Sequence, residues 1–330
     1  MRRRVALDLT SRALLALAVY TFFSATDEHY RGVHNLYPLL NGFALTGLVA
    51  LGLGVTMIAG ELDLSVGSMA AVAGIITIYL SGWGVLPCLA VAVAAGAAFG
   101  ALQGAAIAKL RINSLVFTIG TLIALRGVAF VISHEHSVLV NLNDLSISDS
   151  VIRKLWIFSP LSLTAIAAFV VVGLLMAFAK RGREIYAIGG GRNEALGAGV
   201  ASFVPIVFAF SLSAGLASLA GGLASLQSAA AQPGAFDSLL LAGVTAALVG
   251  GISLYGGRGT IAGIAVGVLT LRFLVTGISS RGAPFYVESL ATGGLLLAVL
   301  VVELATGRGG ELVKRLGRDR RLGDSTTLSA

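Results

Sequence analysis

Ten apolar runs, most of them close to the length that crosses a bilayer, fill this chain from residue 12 to residue 304. They fall at 12–26, 37–58, 66–81, 85–107, 114–133, 161–179, 203–226, 238–255, 260–279 and 286–304. A soluble chain would need a polar shell to cover so much apolar sequence. Typical soluble domains are ~25% charged; here charged residues make up 12% of 330, against 56% hydrophobic. The sequence therefore predicts an all-α integral membrane protein with about ten transmembrane helices. The 43 glycines suit such a bundle, because small residues let helix backbones approach closely in lipid.

The charges orient the spans. The net +7 is concentrated at Arg2–Arg4, Lys109–Arg111, Lys180–Arg183 and the tail Arg308–Arg321, each cluster flanking an apolar run. This is the positive-inside pattern rather than a nucleic-acid-binding surface. With the N-terminus in the cytoplasm, even numbers of crossings return 109–111, 180–202 and the tail to the same side. Both termini are then cytoplasmic, while the acidic links 27–36 and 134–160 face outward. A count of eight or nine follows if 60–68 or 227–240 is re-entrant. The stretch from Met1 to Ala25 reads as a retained first span rather than a signal peptide, given Arg12, Phe22 and Phe23. The chain is expected to be one transmembrane domain, 1–330. It has a helical core at 12–304, a cytoplasmic loop at 180–202 and a basic tail at 305–330 that meets water and anionic membrane lipid.

Two segments carry the chemistry. GELDLSVGS at 60–68 places Glu61 and Asp63 beside hydrocarbon, where acids are expensive. Asp63 or Ser65 is expected to cap a helix starting near Val66, within a break that lines a pathway. The loop KRGREIYAIGGGRNEALGAGVAS at 180–202 combines a basic start, an apolar patch (Ile185, Tyr186, Ile188), a glycine run and a short helix opening at Asn193. It is expected to lie across the membrane face and offer its apolar patch to a partner. An internal echo links 54–68 with 243–258.

Other features exclude functions. GGISLYGGRGT at 250–260 lacks the GK[ST] ending of a nucleotide-binding loop. No His-Glu-x-x-His motif or nucleophile–base pair supports an intramembrane enzyme. His134, Glu135 and His136 lack the spacing of a helix-borne metal site, so no metal is expected. Mid-span carboxylates, which an ion-coupled secondary transporter needs, look nearly absent. Arg126 is expected to snorkel or pair with Glu135, and Arg272 to pair with Glu288. The single cysteine, Cys88, reads as a packed thiol.

GELDLSVGS, REIYAIGG at 183–190 and GGISLYGGRGTIAG at 250–263 occur in this order. Together they resemble the inner-membrane permeases of bacterial sugar-importing ABC transporters, the ribose-type branch, from about residue 37 to 303. The resemblance implies a bacterial inner-membrane subunit that pairs with a second permease copy or a paralogue. It also implies two ATP-binding cassette subunits, which carry ATP and magnesium, and an external sugar-binding protein. This chain would bind no cofactor itself. The implied coupling residues are Arg183, Tyr186, Ile188, Gly189, Gly190, Asn193 and Glu194. A neutral sugar needs only a weak polar lining, assigned to Glu61, Asp63, Ser65, Ser68, Gln103, Thr118, Thr121 and Ser253. Three positions depart from the family pattern. Leu196–Gly197 stands where Ala and Arg are usual, Asn113–Phe117 replaces a Pro-Pro-Phe start, and Gln103 replaces an Asn. Nucleoside and branched-chain amino acid permeases share this framework and stand as alternatives, and an ion-coupled secondary transporter is the third.

Overall fold

The computed structural model describes residues 2–28, 30–141 and 144–306, with side chains described from residue 9 to residue 303. The basic tail beyond residue 306 and His29 lie outside the described residues. Among the described residues thirteen α-helices follow in chain order: α1 Arg2–Thr26, α2 Val33–Ile58, α3 Val66–Tyr79, α4 Val85–Leu110, α5 Ser114–Ser133, α6 Ser146–Ile152, α7 Pro160–Phe178, α8 Lys180–Gly190, α9 Arg192–Gly197, α10 Phe203–Ser228, α11 Asp237–Val249, α12 Ile261–Ser279 and α13 Phe285–Thr306. Two short strands, β1 Val138–Leu139 and β2 Ala230–Ala231, pair antiparallel.

Among the described residues eight helices are long and apolar enough to cross a membrane: α1, α2, α4, α5, α7, α10, α12 and α13. Each of the ten expected spans coincides with a helix, but two are short. α3 has 14 residues and α11 has 13. At ~1.5 Å per residue they reach only about 20 Å, against a hydrocarbon core of ~30 Å. The run 238–255 loses its end because Gly250 and Gly251 stop the helix, and 250–260 forms a separate turn.

The axis of the bundle is α2 with α10. The apolar window of α2 is 83% buried and that of α10 61%, whereas that of α13 is 0% buried. Hydrophobic exclusion does not drive helices together in lipid, so contact depends on close packing. Gly96, Gly100 and Gly104 form one stripe along α4 that faces α10. A Cβ at Gly100 would stand 2.2 Å from the Phe210 carbonyl, and one at Gly96 1.9 Å from Ser218 Oγ. Ser211 Oγ then donates to the Ala97 carbonyl at 2.9 Å across the same seam.

Local chemistry sets the helix starts. Asn113 accepts from the Leu115 and Val116 amides and caps α5, which accounts for Asn at the start of that span. Ser159 and Pro160 open α7 with a capping box, and Thr260 caps α12 by accepting from the Gly263 amide at 3.0 Å. α6 and β1 lie in the expected outer segment 134–160, β1 pairs there with β2 from the end of α10, and Tyr37 donates to the Ile152 carbonyl.

Lys109, Arg111, Lys180, Arg181, Arg183 and Arg192 gather at one end of the bundle, called the basic face below. Both ends of the helical core reach it. Arg12 of α1 donates to the Gly250 carbonyl at 3.1 Å, and Glu303 of α13 accepts from the Leu254 amide at 3.0 Å.

Candidate functional site

α2 stops at the basic face, and Gly60 turns the chain with φ 81°, a left-handed conformation that costs glycine nothing. Residues 61–65 are not helical. They climb back into the bundle before α3 begins. Asp63 bonds to Gln103, which lies seven residues before the end of α4, about 10 Å in at ~1.5 Å per residue. Its other neighbour, Ser213, lies ten residues into α10, about 15 Å in by the same rise. The carboxyl is fully buried well inside the bundle.

A connected polar cluster holds it there. Asp63 Oδ1 accepts from the Ser65 amide at 3.1 Å, Ser65 Oγ at 2.6 Å and Gln103 Nε2 at 3.0 Å. Gln103 Oε1 accepts from Thr121 Oγ1 at 2.8 Å. Thr118 Oγ1 donates to the Leu62 carbonyl at 3.1 Å, and the Leu62 amide donates to Ser114 Oγ at 3.2 Å. Side chains of α5, with Asp63 itself, thus satisfy the broken backbone, the condition for irregular chain inside a membrane protein, while Gln103 of α4 holds the Asp63 carboxylate. Asp63 Oδ2 and Ser213 Oγ are buried without a hydrogen bond, although Ser213 lies close enough to act on the carboxyl.

Several expectations are corrected here. Asp63 bonds the amide of Ser65, the residue before the helix, and Ser65 itself makes no side-chain cap. The cluster unites Asp63, Ser65, Gln103, Thr118 and Thr121, with Ser68 buried in the first turn of α3. Ser253 sits apart, at the basic face, where its hydroxyl accepts from the Tyr255 amide. Glu61 also stays at that face. The expected lack of carboxylates inside the bundle fails for Asp63, because the re-entrant turn lifts a residue that sequence places near a span end.

At the basic face the three recurring motifs meet. The Gly257 amide donates to the Ile58 carbonyl at 2.8 Å. A Cβ on Gly189 would stand 1.8 Å from that carbonyl and 2.6 Å from the Gly257 nitrogen, and one on Gly256 2.7 Å from Gly60 Cα. The echo segments 54–68 and 243–258 therefore touch directly, with α8 wedged against both. Arg192 of α9 pairs with Glu61, and an open cleft of about 620 Å³ runs beside them, edged by Arg111, Asn113 and Tyr255.

The loop 180–202 folds as two helices: α9 is the short helix expected at Asn193, opening one residue earlier, and α8 precedes it. Its apolar patch is not an external surface. Ile185 and Ile188 are buried, and Tyr186 donates to the Gly259 carbonyl at 3.0 Å, with burial pushing its phenol pKa up. An amphipathic helix at a membrane face must turn its apolar stripe somewhere, and here the 250–260 turn receives it. Arg183, Gly190, Asn193, Glu194 and Leu196 remain exposed.

Deeper in the bundle, α3 and α11 begin next to each other. A Cβ on Gly67 would meet the Phe236 carbonyl at 3.1 Å and Leu240 Cβ at 3.5 Å. Arg126 of α5 pairs with Asp237, the first residue of α11, and not with Glu135. Arg272 is mostly buried against Gly42 of α2, with Glu288 of α13 the opposite charge acting on it. Sequence reasoning missed Ser213, Ser114, Arg192 and Asp237. Of these only Arg192 had a visible signal, a charge directly after a glycine run.

Spanning helices around broken ones, with a polar interior at the breaks, are the architecture of a membrane transport protein. Comparison with known proteins gives the lineage. Residues 35–300 match the family described as "Branched-chain amino acid transport system / permease component", and the chain belongs to that family. The ribose import permease protein RbsC of Escherichia coli (strain K12) is 31% identical over 300 residues, covering 89% of this chain and 93% of the relative. The L-arabinose ABC transporter permease protein AraH of Azospirillum brasilense is 30% identical, covering 87% and 85%. The D-allose transport system permease protein AlsC of E. coli (strain K12) is 28% identical, covering 88% and 89%. No solved structure matches the chain.

Proposed function

We propose that this chain is the permease subunit of an ATP-driven importer in a bacterial inner membrane and that it forms the pathway for a monosaccharide. One observation carries the mechanical part. The junction of Gly60, Gly189 and Gly257 ties the loop at the membrane face to the turn that lifts Asp63 into the bundle. A push on α8 and α9 is transmitted to that turn, because backbone atoms in contact leave no slack. The names of the relatives, which import ribose, arabinose and allose, support a sugar over an amino acid or nucleoside.

ATP and magnesium act on separate ATP-binding cassette subunits. Those subunits dock on the exposed Arg183, Gly190, Asn193, Glu194 and Leu196, while Tyr186, Ile188 and Gly189 form the inner side that passes the motion on. A second permease copy or a paralogue completes the pathway, and an external sugar-binding protein delivers the solute. In this reading α3 and α11, with the non-helical segments leading into them, complete two further crossings. The total is then ten, with both termini cytoplasmic. Asp63, Ser65, Gln103, Thr118 and Thr121 hold the broken helix in the pathway wall, and Glu61 with Arg192 forms a latch at the cytoplasmic mouth.

The test is purification from native membranes in mild detergent with mass spectrometry of co-purifying chains. Uptake of D-ribose, D-allose and L-arabinose is then measured in cells lacking their own importers. A co-purifying ATPase and ATP-dependent uptake are expected. Recovery of this chain alone after cross-linking, with uptake that follows an ion gradient, refutes the reading.

A further inference from the structure

We propose that the Arg126–Asp237 pair is a station for sugar hydroxyls on the wall of a water-filled pathway. This inference rests on the permease reading above and extends it to residues outside the buried Asp63 cluster.

Depth comes first. Arg126 lies twelve residues along α5, about 18 Å from the basic face, in a helix about 30 Å long at ~1.5 Å per residue. Asp237 is the first residue of α11, beside the start of α3. The pair is therefore near the middle of the bundle. Yet the side chains are 39% and 57% exposed. The chain leading into α11 is non-helical, and Gln232, Gly234 and Ala235 are exposed there too.

Lipid is excluded as the neighbour on two separate grounds. A charged side chain in hydrocarbon costs ~2.5–3.5 kcal/mol or more. Irregular backbone at this depth is tolerated only where protein or water satisfies it. Arg126 is held at this depth by Asp237. The exposed surface around the pair faces water.

The chemistry selects the solute. A guanidinium has five N–H donors, and one carboxylate does not use them all, while the carboxylate keeps acceptor capacity. Together they donate to one hydroxyl and accept from its neighbour, the pattern of a vicinal diol. Their charges cancel, so the station does not favour an ion over a neutral sugar. Its exposure keeps binding weak enough for the solute to leave.

The experiment has two readouts. In a Cys88→Ser background, Ala235→Cys is exposed to a charged, membrane-impermeant thiol reagent in membranes, with Val171→Cys on the exposed apolar side of α7 as control. Ala235→Cys is expected to react about tenfold faster or more, because only a hydrated thiol ionises. Equal rates overturn the water-filled wall. The swap Arg126→Asp with Asp237→Arg keeps an ion pair but reverses its donors and acceptors. Uptake of the best imported of D-ribose, D-allose and L-arabinose is expected to fall about tenfold or more at normal membrane level. A swap that transports like the parent overturns the station and leaves the permease reading standing. A parent that imports none of the three refutes the sugar reading, and the station with it.

Discussion

Gly189→Ala tests the three-motif junction most directly. The substitution adds one methyl group in a helix, where alanine is ordinarily favoured by up to ~1 kcal/mol. Here that methyl would lie 1.8 Å from the Ile58 carbonyl oxygen and 2.6 Å from the Gly257 nitrogen. Both are backbone atoms, and they are bonded to each other at 2.8 Å, so neither can rotate away. Separating them removes a hydrogen bond of ~1 kcal/mol and forces a main-chain shift of the overpacking kind, ~1–3 kcal/mol. After the helix-propensity gain, the net cost is about 1–3 kcal/mol. For a chain of this size that lowers the unfolding midpoint by roughly 1.5–4 °C. The adjacent Gly190→Ala is the control, since its methyl would meet nothing within 4 Å. The assay is thermal unfolding of both variants in the same detergent, followed by uptake in cells. Gly190→Ala is expected to match or exceed the parent in unfolding midpoint. If Gly189→Ala melts with Gly190→Ala, the junction is not the rigid contact described here.

Asp63→Asn places an amide nitrogen where Oδ2 has no partner and lets it donate to Ser213, so it is expected to stay close to the parent in stability. Asp63→Ala strands the Ser65 amide and hydroxyl and leaves Gln103 Nε2 only its longer bond to Ser65 Oγ at 3.3 Å, at ~1–3 kcal/mol for each buried group left unpaired; equal damage from both variants would contradict the cluster. Ile188→Asp buries a carboxylate and is expected to lower folded yield, whereas Asn193→Arg with Leu196→Asp is expected to insert normally and lose the ATPase in pull-downs. A double-mutant cycle on Glu61 and Arg192 is expected to return a coupling of about 1 kcal/mol, discounted for the exposure of Arg192, and no coupling would remove the latch.

Class, the gathering of basic residues at one face and helix positions were legible in the sequence because each depends on local quantities. Apolar run length reports crossing ability, and clustered Lys and Arg mark one face. All ten runs became helices for that reason. Run length says nothing about where a helix starts in depth. Leu62 and Asp63 read as a span-end turn, and only the folded bundle shows the turn climbing inward to Gln103 and Ser213. The same limit hid Arg126 and Asp237, which are 111 residues apart and carry no spacing signal.

The patch Ile185, Tyr186 and Ile188 teaches the converse. Its amphipathic pattern correctly announced a helix at the membrane face, but a pattern names an apolar stripe without naming what covers it. The 250–260 turn of the same chain was the nearer occupant, and the expected docking surface became an internal contact. The sequence by itself determined that this chain enters a membrane as a glycine-rich helical bundle with a basic face. Only tertiary structure decided which glycines touch, which acid is buried and which is paired. Those outcomes depend on distances between segments far apart in the chain, and a linear pattern does not carry them.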